Sequence, residues 1–324
     1  MQGQIQPEAR SAHTEVYVGV DVCKDYLDVY LHPIGQSLRV ANDRLGLKRL
    51  RTALVGHAVA LVVMEATGKY HRLAHRTLSH RGLPVAVVNP ARSRLFAQAR
   101  GTLAKTDRVD ARMLAVLGEA LAPQARPPAP EALEALQELV RARTQATANR
   151  TALTNRLAAC HTTFLKRELK RQLASLDRHI ARLTDEIAER IANDPTLARR
   201  YHILVSIPGV GPAVAAHLIA DLPELGALDR RAIACLAGLA PFADDSGNAQ
   251  GSRHIRGGRA HPRRALYWAA LAAARYNPDL ADFYKRLRQT GKKPKVALTA
   301  VMRKLVVLAN TLLHENRNWI NRRA

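Results

Sequence analysis

Two carboxylates stand where a charge needs something to offset it. Asp21 interrupts the apolar run VYVGVDV, and Glu65 closes the continuous apolar run AVALVVM at residues 58–64. A lone ionised carboxylate in such a setting costs several kcal/mol or takes up a proton, so a cation or a set of donors is expected beside it. Asp107 and Asp110 lie three apart on a predicted helix and so share one face. By themselves they would read as helix N-terminal carboxylates favoured by the dipole. Taken with Asp21 and Glu65 they make four hard oxygen ligands, a set that suits Mg²⁺. Two such ions can activate an attacking oxygen and stabilise a leaving oxygen at one phosphate.

A second candidate is Ser246, in PFADDSG, followed by GSRHIRGGR at residues 251–259. A serine beside a glycine is usually only a turn residue. Here its company is a glycine-rich stretch with Arg253, Arg256, Arg259, Arg263 and Arg264, which could clamp a phosphate while a serine oxygen attacks it. Upstream, IPGVGP at residues 207–212 resembles a helix-hairpin-helix turn, in which Gly209 and Gly211 would let the backbone approach a DNA phosphate. Lys292, Lys293 and Lys295 add a further basic stretch. Two features invite blander readings. His71 and His75 have a zinc-compatible spacing but no evident third ligand, so a solvated helix is expected. Tyr267 and Trp268 could stack on a base, yet their alanine surroundings predict core packing.

The elements that must position these groups follow from periodicity. Residues 16–31 read as two strands broken near Lys24 and Asp25, with further strands at 37–41, 58–64 and 83–88. Helices are predicted at 45–54, 70–80 and 107–121, which makes an α/β pattern. The proline-rich stretch LAPQARPPAP at residues 121–130 marks a domain boundary. Beyond it Leu153, Leu157, Cys160 and Phe164, then Leu169, Leu173, Leu176, Ile180, Leu183 and Ile187, form a heptad seam. That seam fits an intramolecular helical hairpin and a dimerising coiled coil equally. The expected division is a short N-terminal tail (1–15), an α/β domain (16–125), a helical segment (126–200) and a mainly helical domain (201–324).

The chain has 324 residues, with 50 Lys and Arg against 27 Asp and Glu, a formal charge of +23. Residues 251–324 hold 17 basic and 3 acidic residues, a net of +14, so phosphate contacts are expected there. No uninterrupted apolar run reaches the roughly 20 residues that span a bilayer. Three scattered cysteines exclude a disulfide framework and a CxxC zinc site. With a polar N-terminus lacking a leader pattern, these features predict a cytoplasmic protein without a membrane partner.

The motifs GVDVCKD, VMEATGKY, VNPARSRLFAQARG, KTDRVDARMLA, IPGVGPAVAAHLIADL and PKVALTAVMRKLVVLAN occur in that order. Together they resemble the DEDD transposases of the insertion-sequence one-ten family. The resemblance runs from about Val16 to Asn310, and Cys23 stands where many members have a small residue such as serine. It implies an RNase H-like (RuvC-like) N-terminal domain, a coiled-coil linker and a helical transposase domain. It also implies that Asp21, Glu65, Asp107 and Asp110 bind Mg²⁺ and that Ser246 forms a phosphoserine bond with DNA. A structured guide RNA (a bridge RNA encoded by the element) and a dimer assembling to a tetramer are implied as partners. A RuvC-like hydrolase using water would need the carboxylates but not Ser246. A non-catalytic basic protein binding DNA or RNA would need neither.

Overall fold

A computed structural model describes residues 14–101, 107–243, 251 and 253–321, and for Asp107 and Arg108 it describes the backbone only. The chain divides into two compact units, one ending at Ala129 and one beginning at Pro130.

The first unit is built on a five-stranded mixed sheet in the order β3-β2-β1-β4-β5. Its strands are β1 (Val16–Val22), β2 (Tyr26–His32), β3 (Gln36–Ala41), β4 (Val59–Glu65) and β5 (Val85–Val88). β1, β2 and β3 pair antiparallel, whereas β4 runs parallel to β1 and β5 parallel to β4. Strand alternation sends side chains to two faces. Val18, Val20, Leu27, Val29, Val62 and Met64 pack with Leu47 and Leu50 of α1 (Arg44–Leu54) and Leu78 of α2 (His71–Ser79). On the opposite face Leu61, Val63, Ala86 and Val88 pack with Leu114 and Leu117 of α4 (Asp107–Leu121) and Phe96 of α3 (Pro90–Ala99).

Every strand and helix expected from periodicity in this unit is present. The helix α3 was not foreseen. Its apolar residues lack a clear stripe, and its sequence signal is the start: Asn89 accepts from the Ala91 N–H at 2.9 Å, and Pro90 occupies the first helical turn.

The second unit is helical. α5 (Glu131–Ala159) and α6 (Thr163–Ala192) turn back on each other through Cys160–Thr162. The pairings Arg150 with Asp177 and Arg143 Nε with Thr184 Oγ1 (2.8 Å) run in opposite order along the two helices, so the hairpin is antiparallel. Of the heptad seam only Ile187 is buried; Leu153, Leu157, Leu169, Leu173, Leu176, Ile180 and Leu183 are half-buried, and Phe164 is exposed.

There follow α7 (Pro195–Val205), α8 (Pro212–Asp221), α9 (Arg230–Leu236), a two-strand ribbon of β6 (Pro241–Phe242) and β7 (His254–Ile255), α10 (Ala260–Tyr276), α11 (Pro278–Gln289) and α12 (Pro294–His314). α8, α10 and α12 pack on alanines and aliphatic side chains, among them Leu218, Leu266, Ala269, Ala273, Val301 and Leu305. α12 is long and apolar enough to cross a membrane by length and composition. Arg303 and Lys304 break its apolar run, and nine of its residues are buried against the neighbouring helices, the pattern of a core helix. α11, which precedes Lys292, Lys293 and Lys295 in the chain, was not foreseen from the sequence.

Candidate functional site

The α4 face of the sheet gathers the carboxylates of the first unit. Tyr17, Gly19 and Asp21 alternate with the buried valines of β1, and Leu61, Val63 and Glu65 do the same on β4, so Asp21 and Glu65 point to the α4 side. The parallel register pairs Gly19 with Val63 and Val20 with Met64, which sets Asp21 beside Glu65 at the C-terminal ends of neighbouring strands. Adjacent strands lie about 4.8 Å apart.

Gly19 fixes where α4 sits. A Cβ there would lie 1.9 Å from the Ala111 carbonyl oxygen and 2.4 Å from the Ala115 nitrogen, so helix backbone rests directly on strand backbone. Near the other end of the contact, Gly118 meets Val63 and Tyr17. α4 therefore runs against the direction of β1, and its first turn, with Asp107 and Asp110, lies toward the Asp21 end of the strand.

Two neighbours shape this carboxylate row. The Ser93 hydroxyl donates to Glu65 Oε1 from α3, which fixes one oxygen of the carboxylate. On the other side of Asp21, the antiparallel register places Asp28 directly opposite, on the same face. Asp28 is 4% exposed and is held by a fork from Arg39, Nε to Oδ1 at 2.8 Å and Nη2 to Oδ2 at 2.7 Å. The guanidinium also lies over the Tyr26 ring at 4.1 Å. The Arg39 charge thus offsets Asp28 and leaves Asp21 and Glu65 as the neighbouring carboxylate pair. Neither Ser93 nor the Asp28–Arg39 pair was singled out from the sequence. The alternation of β2 was the available signal, since it places Asp28 on the face of a buried strand.

A fit to Mg²⁺ rests on the donor set: oxygen ligands on two strand ends, and a helix seated so closely that its first turn approaches them. Among the described residues no group of three or more His, Cys, Asp or Glu forms a metal cage. Asp21, Glu65 and Asp110 are half-buried. The Asp107 side chain lies outside the described residues, and so does Ser246.

In the second unit the basic residues divide into two kinds. Arg259 was expected to clamp phosphate, but it forms a fork with Glu224, both bonds 2.7 Å, and donates to the Asp221 carbonyl at 2.8 Å. Its charge is offset within the fold, so it serves as a structural tie. Arg263 donates to the Gly257 carbonyl at 2.7 Å and bridges toward that of Gly238. Arg253, Arg256, Arg264, Lys292, Lys293 and Lys295 are exposed, and Arg256 lies over the Phe242 ring at 5.5 Å.

The glycines of the hairpin turn also differ from each other. Gly209, with φ of +102°, has its Cβ position 2.6 Å from the Ala273 nitrogen, so it seats the turn against α10. Gly211 caps α8 and faces open space.

Two further expectations are overturned. His75 is not on a solvated face: it is 9% exposed, and its Nε2 lies 2.9 Å from the Arg126 carbonyl, because α2 packs that side against its own unit. Trp268 and Tyr267 are not core residues; they are 65% and 37% exposed, because alanines and Leu266 fill the buried side of α10.

Both units match families of known proteins. A family model described as Transposase matches residues 18–167, and one described as Transposase IS116/IS110/IS902 family matches residues 201–285. The chain is 28% identical over 321 residues to the pilin gene-inverting protein of Moraxella bovis, spanning 95% of this chain and 99% of that one. It is 33% identical over 153 residues to an uncharacterized 44.8 kDa protein of the insertion element IS116 of Streptomyces clavuligerus, spanning 46% of this chain and 37% of that one. The chain belongs to the IS110 family of insertion-sequence transposases.

Proposed function

We propose that this transposase cuts and rejoins DNA strands through a phosphoserine intermediate, with its first unit acting as an RNase H-like (RuvC-like) metal domain. The observation that carries the reading is the side-by-side placement of Asp21 and Glu65 under the first turn of α4. Asp21, Glu65, Asp107 and Asp110 would hold Mg²⁺, with two ions as the expected number. When bound, Mg²⁺ supplies Lewis-acid stabilisation of charge on the phosphate oxygens.

The Ser246 hydroxyl loses its proton and its oxygen attacks phosphorus. The bond from phosphorus to the leaving deoxyribose oxygen breaks, and that oxygen takes up a proton. Attack on the phosphoserine by a second strand's hydroxyl reverses the sequence and rejoins DNA without an outside energy source. Arg253, Arg256 and Arg264 would bind the phosphate and its neighbours.

Family membership supports a homo-oligomer, a dimer assembling to a tetramer in which carboxylates of one protomer serve the serine of another. It also supports guidance by a structured RNA, and work in the cytoplasm. Denaturing gels after incubation with element-end DNA and Mg²⁺ test the reading. A covalent protein–DNA adduct that is lost in Ser246→Ala is expected, as is partial recovery of activity when Asp21→Asn and Ser246→Ala proteins are mixed. Free cleaved ends with Ser246→Ala would indicate hydrolysis by water. No cleavage by the parent protein would indicate a binding protein.

A further inference from the structure

α10 has a complete buried side, with Pro262, Ala265, Leu266, Ala269, Ala270 and Ala273 facing the core. Its outer side carries His261, Arg264, Tyr267, Trp268, Leu271 and Arg275, and helical periodicity brings these into one stripe. The two aromatic rings meet edge to face, with centroids 5.7 Å apart and planes at 81°. The near-perpendicular planes mean that Tyr267 does not lie flat over the indole, and most of Trp268 stands in solvent. Packing within the unit does not account for an aromatic pair left in water on a helix whose core side is already filled.

Charge selects the occupant. Arg264 lies one turn before Trp268 and Arg275 two turns after it, and Ala260–Tyr276 contains no Asp or Glu. The surrounding region, residues 251–324, carries a net charge of +14. A second copy of this chain would bring an identical positive stripe against the first and be repelled. A polyanion with flat apolar faces fits both features, since a base stacks on the indole while the flanking phosphates meet the guanidinium groups. A stacked duplex presents no free base face to such a ring. We propose that the exposed stripe of α10, centred on Trp268, is a stacking platform for an unpaired base of a DNA strand opened during recombination. The proposal rests on reading the protein as a DNA recombinase, and it adds base stacking on Trp268 to the phosphate contacts of Arg253, Arg256 and Arg264.

The test uses the full chain carrying Trp319→Phe, which leaves Trp268 as the only indole. It is titrated with a deoxythymidylate 20-mer, an abasic deoxyribose-phosphate strand of the same length, a uridylate 20-mer and a duplex. Deoxythymidylate should quench the indole fluorescence. In the same background, Trp268→Ala should bind that strand about tenfold more weakly, the effect of losing one stacked base. Trp268→Phe should recover most of the loss, while abasic-strand and duplex affinities stay within about twofold of the parent's. Equal losses on all four ligands, an unquenched indole, or tighter binding of uridylate than deoxythymidylate would overturn the platform. So would a change of oligomeric state in Trp268→Ala at unchanged DNA affinity. Failure of the parent protein to bind duplex DNA in a salt-dependent way would bring down the recombinase reading itself, and the platform with it.

Discussion

Replacing Gly19 with alanine should damage activity far more than its single methyl group suggests. The new carbon would fall 1.9 Å from the Ala111 oxygen, where side-chain carbons keep at least 3.0 Å, so α4 must withdraw by about 1 Å. The obstructing atoms are backbone on both sides and have no rotamer by which to move away. Overpacking of this kind costs about 1–3 kcal/mol. The same withdrawal carries the first turn of α4 away from Asp21 and Glu65, and under the function proposed above a displacement of about 1 Å between these groups is worth about 100-fold in rate. Gly118→Ala is the matched control on the same helix. Its carbon meets a side-chain methyl, Val63 Cγ2, at 2.9 Å, and the gain in helix propensity of about 1 kcal/mol offsets the crowding. Urea unfolding followed by circular dichroism gives the stability change, and the rate of strand cleavage at saturating Mg²⁺ gives the catalytic one. A Gly19→Ala protein that unfolds at the parent's urea concentration and cleaves at the parent's rate would refute the seating of α4 as the device that assembles the site.

Two other perturbations follow from the ion pair and the helix cap. Arg39→Met leaves Asp28 buried without its partner and should destabilise the first unit by about 2–3 kcal/mol, less than for a fully buried pair because the arginine is half-exposed. Adding Asp28→Asn to that variant should return part of the loss in urea unfolding, and equal stability of the single and double variants would contradict the account. Asp229 caps α9 by accepting from the N–H groups of Ala232 and Arg231, and these bonds hold its carboxyl below the ordinary value of 3.8. A lowered value in the folded state means the cap stabilises above the ordinary pKa and is lost as pH falls through the lowered one. In acid titrations of stability, the difference between the parent and Asp229→Ala should therefore shrink below that range, and a constant difference would count against the cap.

Much of the first unit was legible because β4 and β5 are apolar on both faces, β1 is nearly so, and turns punctuate the strands. Asp21 and Glu65 stood out as carboxylates placed against that pattern. Their adjacency was not legible, because it depends on β4 crossing to lie parallel beside β1, a pairing between residues about 44 positions apart. Asp28 was passed over because Arg39 comes to it from β3, and no short spacing shows that contact. In the second unit, counting arginines does not show which are tied within the fold, as Arg259 is to a carboxylate 35 residues earlier in the chain. Trp268 was misjudged for the opposite reason. Its alanine neighbours fill the core without it, and a run of small residues reads alike whether or not a large neighbour faces inward.

The antiparallel hairpin of α5 and α6 has a mechanical consequence. Apart from Ala146, its buried residues lie toward one end, at Leu133, Leu136, Val140, Ile187 and Ile191. From Arg141 to Ala159 the helix advances roughly 30 Å at 1.5 Å per residue, and beyond the turn at its end the start of α6 displays Phe164 and Leu165 to solvent. Such a rod converts rotation into travel: about 10° at its rooted end sweeps the far end through about 5 Å. Anything gripped at that tip would be felt at α7 and α8, against which the root is packed, so the hairpin can act as a lever between a distant contact and the helices it is rooted on.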